Sequence, residues 1–155
     1  MHKRTLVHRY FLAAVLFAFL LTLPATAQAG RMAAGFSFGE TTGLSFKYWQ
    51  DNQRAIDMAA GWGSDEWDIK ADYLFHEPEI FRVDHGQVFL YYGMGFYAQG
   101  KDDKDDIAGA RVPFGVEYFL PGMPLSFFGD VAPAMDLSPE TSFGTQAHLG
   151  MRYIF

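Results

Sequence analysis

Three side chains in this sequence could together do nucleophilic chemistry. They are Ser45, His148 and Asp130, with Ser37 as a second hydroxyl. A carboxylate that orients an imidazole, which in turn takes a proton from a serine, is the arrangement that activates a hydroxyl for acyl transfer. The three lie far apart in the chain, so only the fold can assemble them. Each sits in a run that alternates apolar and polar residues, and its parity puts it on the polar side. Around them the same parity collects Lys47, Asp57, Asp68, Lys70, Asp72, Arg111, Glu117, Asp136, Gln146 and Arg152. Charges held together on one face must pair. The reading that follows is an interlocking set of ion pairs in which His148 is one satisfied member. The chain is therefore expected not to be an enzyme.

The elements that position these residues are strands. Eight runs of period-2 alternation cover residues 33–39, 44–50, 55–62, 67–76, 87–99, 109–120, 125–136 and 143–155. They are separated by stretches rich in Gly, Pro, Asp, Asn and Ser, such as "DNQR", "PGMP" and "LSPETS", which is how turns between strands read. No long 3.6-residue period follows residue 30. The apolar faces are long: Trp67, Ile69, Ala71, Tyr73 and Phe75 in one run, and Phe143, Thr145, Ala147, Leu149, Met151, Tyr153 and Phe155 in the last. Aromatics gather towards the ends of these faces, and the opposite faces carry Gly and mixed charges. A transmembrane barrel has this polarity, with an apolar band outside, aromatics at its margins and polar residues within. The expected fold is all-β: an eight-stranded antiparallel up-and-down transmembrane β-barrel.

The first 29 residues read as a cleaved Sec-type signal peptide. Lys3, Arg4 and Arg9 precede an uncharged apolar run over 11–23, then Pro24 and the small-residue patterns Ala25-Thr26-Ala27 and Ala27-Gln28-Ala29. Cleavage after Ala27 or Ala29 leaves a barrel domain over 30–155. The apolar run is short for a membrane span, which needs about 20 residues. The leader holds three of the twelve Lys+Arg and none of the eighteen Asp+Glu, so the mature chain carries a net charge of about −9. An acidic exported chain is a poor nucleic-acid binder. The absence of cysteine excludes disulfides and thiolate metal sites, and the scattered histidines suggest neither a metal nor a cofactor.

The stretches "TGLSFKYW" (42–49), "ADYLFH" (71–76), "LYYGMG" (90–95), "RVPFGVEYFL" (111–120), "PLSFFGDVAPAMDLSPETSFG" (124–144) and "MRYIF" (151–155) resemble a family of short bacterial outer-membrane β-barrel proteins of unassigned function, in the style of the OmpX and OmpA barrels. The resemblance implies location in the outer membrane and contact with its lipids and lipopolysaccharide. The ending Met151, Tyr153, Phe155 resembles the C-terminal signature by which the barrel-assembly machinery recognises its clients. No catalytic motif comes with the family. "AHLG" around His148 also lacks the His-x-Ser spacing of lipid A deacylases. The expected role is structural or in envelope integrity, as a monomer with a plugged interior.

Two prolines qualify that expectation. Pro113 and Pro133 stand inside strand runs, where proline removes a ladder donor. If "PGMP" closes a hairpin with Leu120 opposite Leu125, Pro113 falls opposite Ala132, beside Pro133. A local gap there would suit a lipid-handling or lipid A-modifying protein. A third alternative, a soluble periplasmic barrel of lipocalin type, requires an apolar interior.

Overall fold

The computed structural model describes residues 32–81, 84–102 and 104–155, with the side chains of 78–81 excepted. The signal-peptide reading of residues 1–29 lies outside the described residues. Among the described residues nine strands follow one another: β1 Met32–Gly39, β2 Gly43–Trp49, β3 Arg54–Trp62, β4 Glu66–Phe81, β5 Gln87–Lys101, β6 Ile107–Arg111, β7 Phe114–Phe119, β8 Leu125–Ser138 and β9 Ser142–Ile154. All pairings are antiparallel, β6 and β7 each pair with β5 and β8, and β9 pairs with β1, so the sheet closes into a ring.

The eight sequence runs become nine strands because the run over 109–120 is split. Its halves β6 and β7 occupy one position in the ring, both between β5 and β8, with Val112 and Pro113 between them. Pro113 has no N–H to give the ladder, and the strand is interrupted where it sits. The run over 67–76 is also longer than its pattern, since β4 continues to Phe81. Its ladder with β5 shifts register between Glu77 and Phe81, a stretch that contains Pro78. Such irregularities are where a sheet accommodates proline.

The ring has a measurable stagger. Partners run from Ala33 through Lys47, Asp57, Asp72, Gly95, Arg111 and Ala134 to Gly144. Continued beyond Gly39–His148, the β1–β9 register sets Gly144 opposite position 43, so the path returns ten residues from its start at 33. Strands so staggered tilt by about 40° to the ring axis. The rim is uneven as a result. β1 ends at Gly39, while β9 runs on past His148 to Ser142 beside β8.

Polarity is reversed relative to a soluble core. Buried residues include Lys47, Asp57, Lys70, Asp72, Arg111, Glu117, Asp130 and Arg152, all at 5% exposure or less. The exposed set includes Phe36, Met94, Phe96 at 68%, Phe114, Val131, Leu149 and Phe143 at 82%. Alternation along each strand produces this, since successive side chains point to opposite faces. Outward-facing Tyr48, Tyr73, Tyr92, Tyr118 and Tyr153 ring the end that carries both described termini, and Trp62, Trp67 and Phe143 mark the other. From Phe143 to Tyr153 the apolar face of β9 spans about 26 Å along the axis, taking ~3.4 Å per residue and that tilt.

Candidate functional site

Glycines opposite make room in the interior for some of its largest side chains. A Cβ added at Gly150 would meet Phe128 Cε1 at 2.5 Å, and Gly115 makes the same room for Tyr91. The Phe128 ring in turn supports the Arg152 guanidinium, whose Cζ lies 3.7 Å from the ring centroid.

Towards the tyrosine-ringed end, Arg152 is the centre of one cluster. Its Nη2 donates to both carboxylate oxygens of Asp57 at 2.8 Å, and its Nε donates to Ser45 Oγ at 2.8 Å. Its Nη1 lies 3.7 Å from Glu117 Oε1. Glu117 also accepts from Ser126 Oγ at 2.8 Å and pairs with Lys47, whose Nζ reaches His76 Nε2 at 2.8 Å. Next to this cluster the inward-facing Phe119 ring contacts Trp49 and Phe89, with centroids 6.1 and 5.4 Å apart.

A second cluster surrounds Arg111. Nη2 donates to Asp130 Oδ1 at 2.7 Å, Nη1 donates to Gln146 Oε1 at 3.0 Å, and Nε lies 3.3 Å from Asp72 Oδ1. Lys70 pairs with Asp72 at 3.1 Å. Asp57 and Asp72 are direct cross-strand partners. Like charges so placed repel, and Arg152 on one side with Lys70 and Arg111 on the other neutralises them. Tyr91 links the clusters: its hydroxyl donates to Asp130 Oδ2 at 3.1 Å, and its ring lies 5.0 Å from Lys47 Nζ.

Of the eleven charged or histidine positions placed inward by parity, Asp68 and Asp136 stand apart from these clusters. Asp136 accepts from the hydroxyls of Tyr97 and Ser142, and Asp68 is half-buried near the rim. Sequence reasoning missed Tyr91 as a member and Tyr97 as the partner of Asp136; parity put His76 on the polar face of its run without assigning it to the network. The signal was present for the tyrosines: Tyr91 and Tyr97 share parity with Gly93 and Gly95, and an inward glycine run is a place where bulky neighbours fit.

The candidate triad is not assembled. Asp130 pairs with His148 in register, with Nδ1 at 3.3 Å from Oδ1. The other ring nitrogen, Nε2, accepts from the Thr41 backbone N–H at 3.1 Å. Ser45 lies level with Arg152 through Gly35, four residues along β9 from His148, or about 14 Å of strand. At this distance, and with its lone pair engaged by an amide, the imidazole is out of hydrogen-bond reach of Ser45. Ser37 is buried, and its Oγ is without a hydrogen-bond partner.

At the prolines, the register sets Val112 against Pro133 and Gly93 against Pro113. Val112 N–H donates to Pro133 O and Gly93 N–H donates to Pro113 O, each at 3.0 Å. Each of these pairs keeps one bond and lacks the one its proline cannot donate. The prolines occupy opposite faces: Pro113 is buried in the lumen and Pro133 is exposed outside. At the chain end, Met151, Tyr153 and Phe155 all lie on the outer surface, the last two in edge contact at 5.4 Å. Among the described residues no cluster of His, Cys, Asp and Glu could hold a metal.

No protein-family model matches the chain, and no curated protein matches it. Among solved structures, the N-terminal β-barrel domain of Pseudomonas aeruginosa OprF is similar with a TM-score of 0.47 and 15% identity, over 83% of this chain and 100% of that one.

Proposed function

We propose that this chain is a small integral outer-membrane β-barrel whose interior is an ion-paired plug, and that its role is structural, in the integrity of the envelope. The observation that carries the reading is the reversed polarity: an apolar outer surface about 26 Å tall by the strand geometry above, close to the ~25 Å band of outer-membrane barrels, around a lumen of buried, paired charges. A closed ring leaves no open edge within that band. The lumen lining is the reverse of what a soluble carrier of apolar ligands needs. On this reading outer-membrane lipids, including lipopolysaccharide, contact Phe36, Met94, Phe96 and Leu149. The assembly machinery engages β9 through Met151, Tyr153 and Phe155.

The test is fractionation followed by SDS gels of boiled and unboiled samples. The expected result is outer-membrane recovery with a mobility shift on boiling, and no stable conductance in planar bilayers. A soluble periplasmic protein without the shift would overturn the reading. A lipid-handling role has one observation in its favour, the bond missing beside each proline. Amide protection at Val112, Phe114 and Val131 equal to that of the rest of the sheet would sink it.

A further inference from the structure

We propose that the turn of residues 40–42 is a strap over the rim opposite the termini, latched by His148 and released when that imidazole takes a second proton. The strap exists because the rim is uneven. β1 stops at Gly39 while β9 continues, and the turn folds into the step between them. Thr41 is 5% exposed although it lies in a turn. Its N–H donates to His148 Nε2 at 3.1 Å, and Glu40 N–H donates to Ala147 O at 3.3 Å. Within the turn, Thr42 Oγ1 donates to Gly39 O at 3.0 Å. Gly39 turns the chain inward at φ +131°, a conformation side chains rarely adopt, and an added Cβ there would strike the Ala147 carbonyl.

This geometry fixes the state of the ring. A backbone N–H only donates, so Nε2 must present its lone pair. The single ring proton is then on Nδ1, facing Asp130 Oδ1 at 3.3 Å. Arg111 Nη1, 3.1 Å from Nδ1, has Gln146 Oε1 as its acceptor instead. A second proton would be placed on Nε2, setting N–H against N–H and breaking the latch. The groups facing the ring are Asp130 from β8, Arg111 from β6, Gln146 from β9 itself and Thr41 from the turn. Asp68 from β4 takes a hydrogen bond from the Thr41 side chain and lies within electrostatic reach of the ring, and Glu40 of the turn is the other nearby charge. β1 and β2 contribute only uncharged Ser37, Gly39 and Gly43 at this level. Asp130 can hold the doubly protonated ring in place, so release moves the turn and not the histidine. One imidazole ring separates the strap from the Arg111 guanidinium, and release bares that polar cluster to the rim.

The experiment is nuclear magnetic resonance on the refolded full barrel in detergent micelles from pH 8 to pH 5. Thr41 amide exchange is expressed relative to its intrinsic rate, alongside the His148 ring nitrogen shifts. The expected result is an unprotonated Nε2 at pH 8, with Thr41 protection falling at least tenfold as both ring nitrogens become protonated. His148→Gln, whose amide oxygen can accept from Thr41 without titrating, should keep Thr41 protection constant over the range. Where that variant does not fold, the wild-type shifts alone decide. A proton on Nε2 at pH 8, a ring that does not titrate above pH 5, or titration that leaves Thr41 protection unchanged would each overturn the proposal.

Discussion

Replacing Arg152 by Met tests whether the lumen is a coupled network or a set of independent contacts. Arg152 is 1% exposed. The change removes the donors to both oxygens of Asp57, a charged pair worth about 1.5–3 kcal/mol. It removes the bond to Ser45, about 1 kcal/mol, and the stacking on Phe128, about 1–2 kcal/mol where water is excluded. Methionine returns part of the packing, and Asp57 is left buried with less compensation. The expected loss is about 4 kcal/mol, within the ~3–5 kcal/mol found when one partner of a buried pair is removed, or close to a thousandfold in the folding equilibrium. Asp57→Leu alone should cost a similar amount, because it strands the guanidinium. The double variant removes both charges together. It should lose at least 2 kcal/mol less than the two single losses combined, since exchanging a buried pair for apolar residues is often near neutral. The assay is reversible urea unfolding in lipid vesicles, followed by tryptophan fluorescence and by unboiled gel mobility. Purified refolded protein keeps the result independent of cellular assembly, in which β9 has its own proposed part. Single losses under 1 kcal/mol, or losses that add within 0.5 kcal/mol, would refute the coupled plug.

Three further outcomes follow from the same geometry. Phe114→Arg puts a charge on the exposed face of β7 and should cost about 2–4 kcal/mol at mid-depth by vesicle unfolding; a loss within 0.5 kcal/mol would mean this face meets water. Pro113→Ala supplies the missing N–H opposite the Gly93 carbonyl and should stabilise by about 1 kcal/mol with increased amide protection across Val112; destabilisation would show that the interruption is itself required by the fold. At the turn between β2 and β3, Asp51 accepts from Arg54 Nε at 2.6 Å and from the backbone N–H groups of Gln53 and Arg54. The Arg54 hydrogen bond, with those of the two amides, lowers its carboxyl from 3.8 to about 2. A carboxyl lowered on folding stabilises above its ordinary range and loses that contribution as pH falls towards 2. Arg54→Ala should move the Asp51 titration, read by carboxyl carbon shifts, back towards 3.8. An unmoved titration would refute the assignment.

The runs that became strands were legible because alternation is set locally: each side chain's face follows from its position in an extended chain. The hairpin register was legible where a tight turn fixed it. Closing "PGMP" with Leu120 opposite Leu125 is what the structure shows, by the bond from Leu120 N–H to Leu125 O. Asp130 opposite His148 was one register that parity permitted, and the separate β8–β9 pairing adopts it. Partners across the lumen were not legible. Parity places Lys47, Glu117 and Arg152 inside but cannot say that Lys47 meets Glu117 or that Arg152 meets Asp57. Those pairs join strands distant in the ring, and the stagger decides which residues share a level.

By itself, the sequence determined which residues face in and which face out, and so the reversed polarity on which the proposed membrane role rests. The tertiary structure alone decided what the inward residues do. Closing the ring with a ten-residue stagger carried Ser45 about 14 Å of strand from His148. It left a step between β1 and β9 into which Thr41 folds, so the lone pair that a serine would have needed is held by a backbone amide. Facing is a property of one strand, whereas pairing is a property of the closed circuit, and no single strand encodes the circuit.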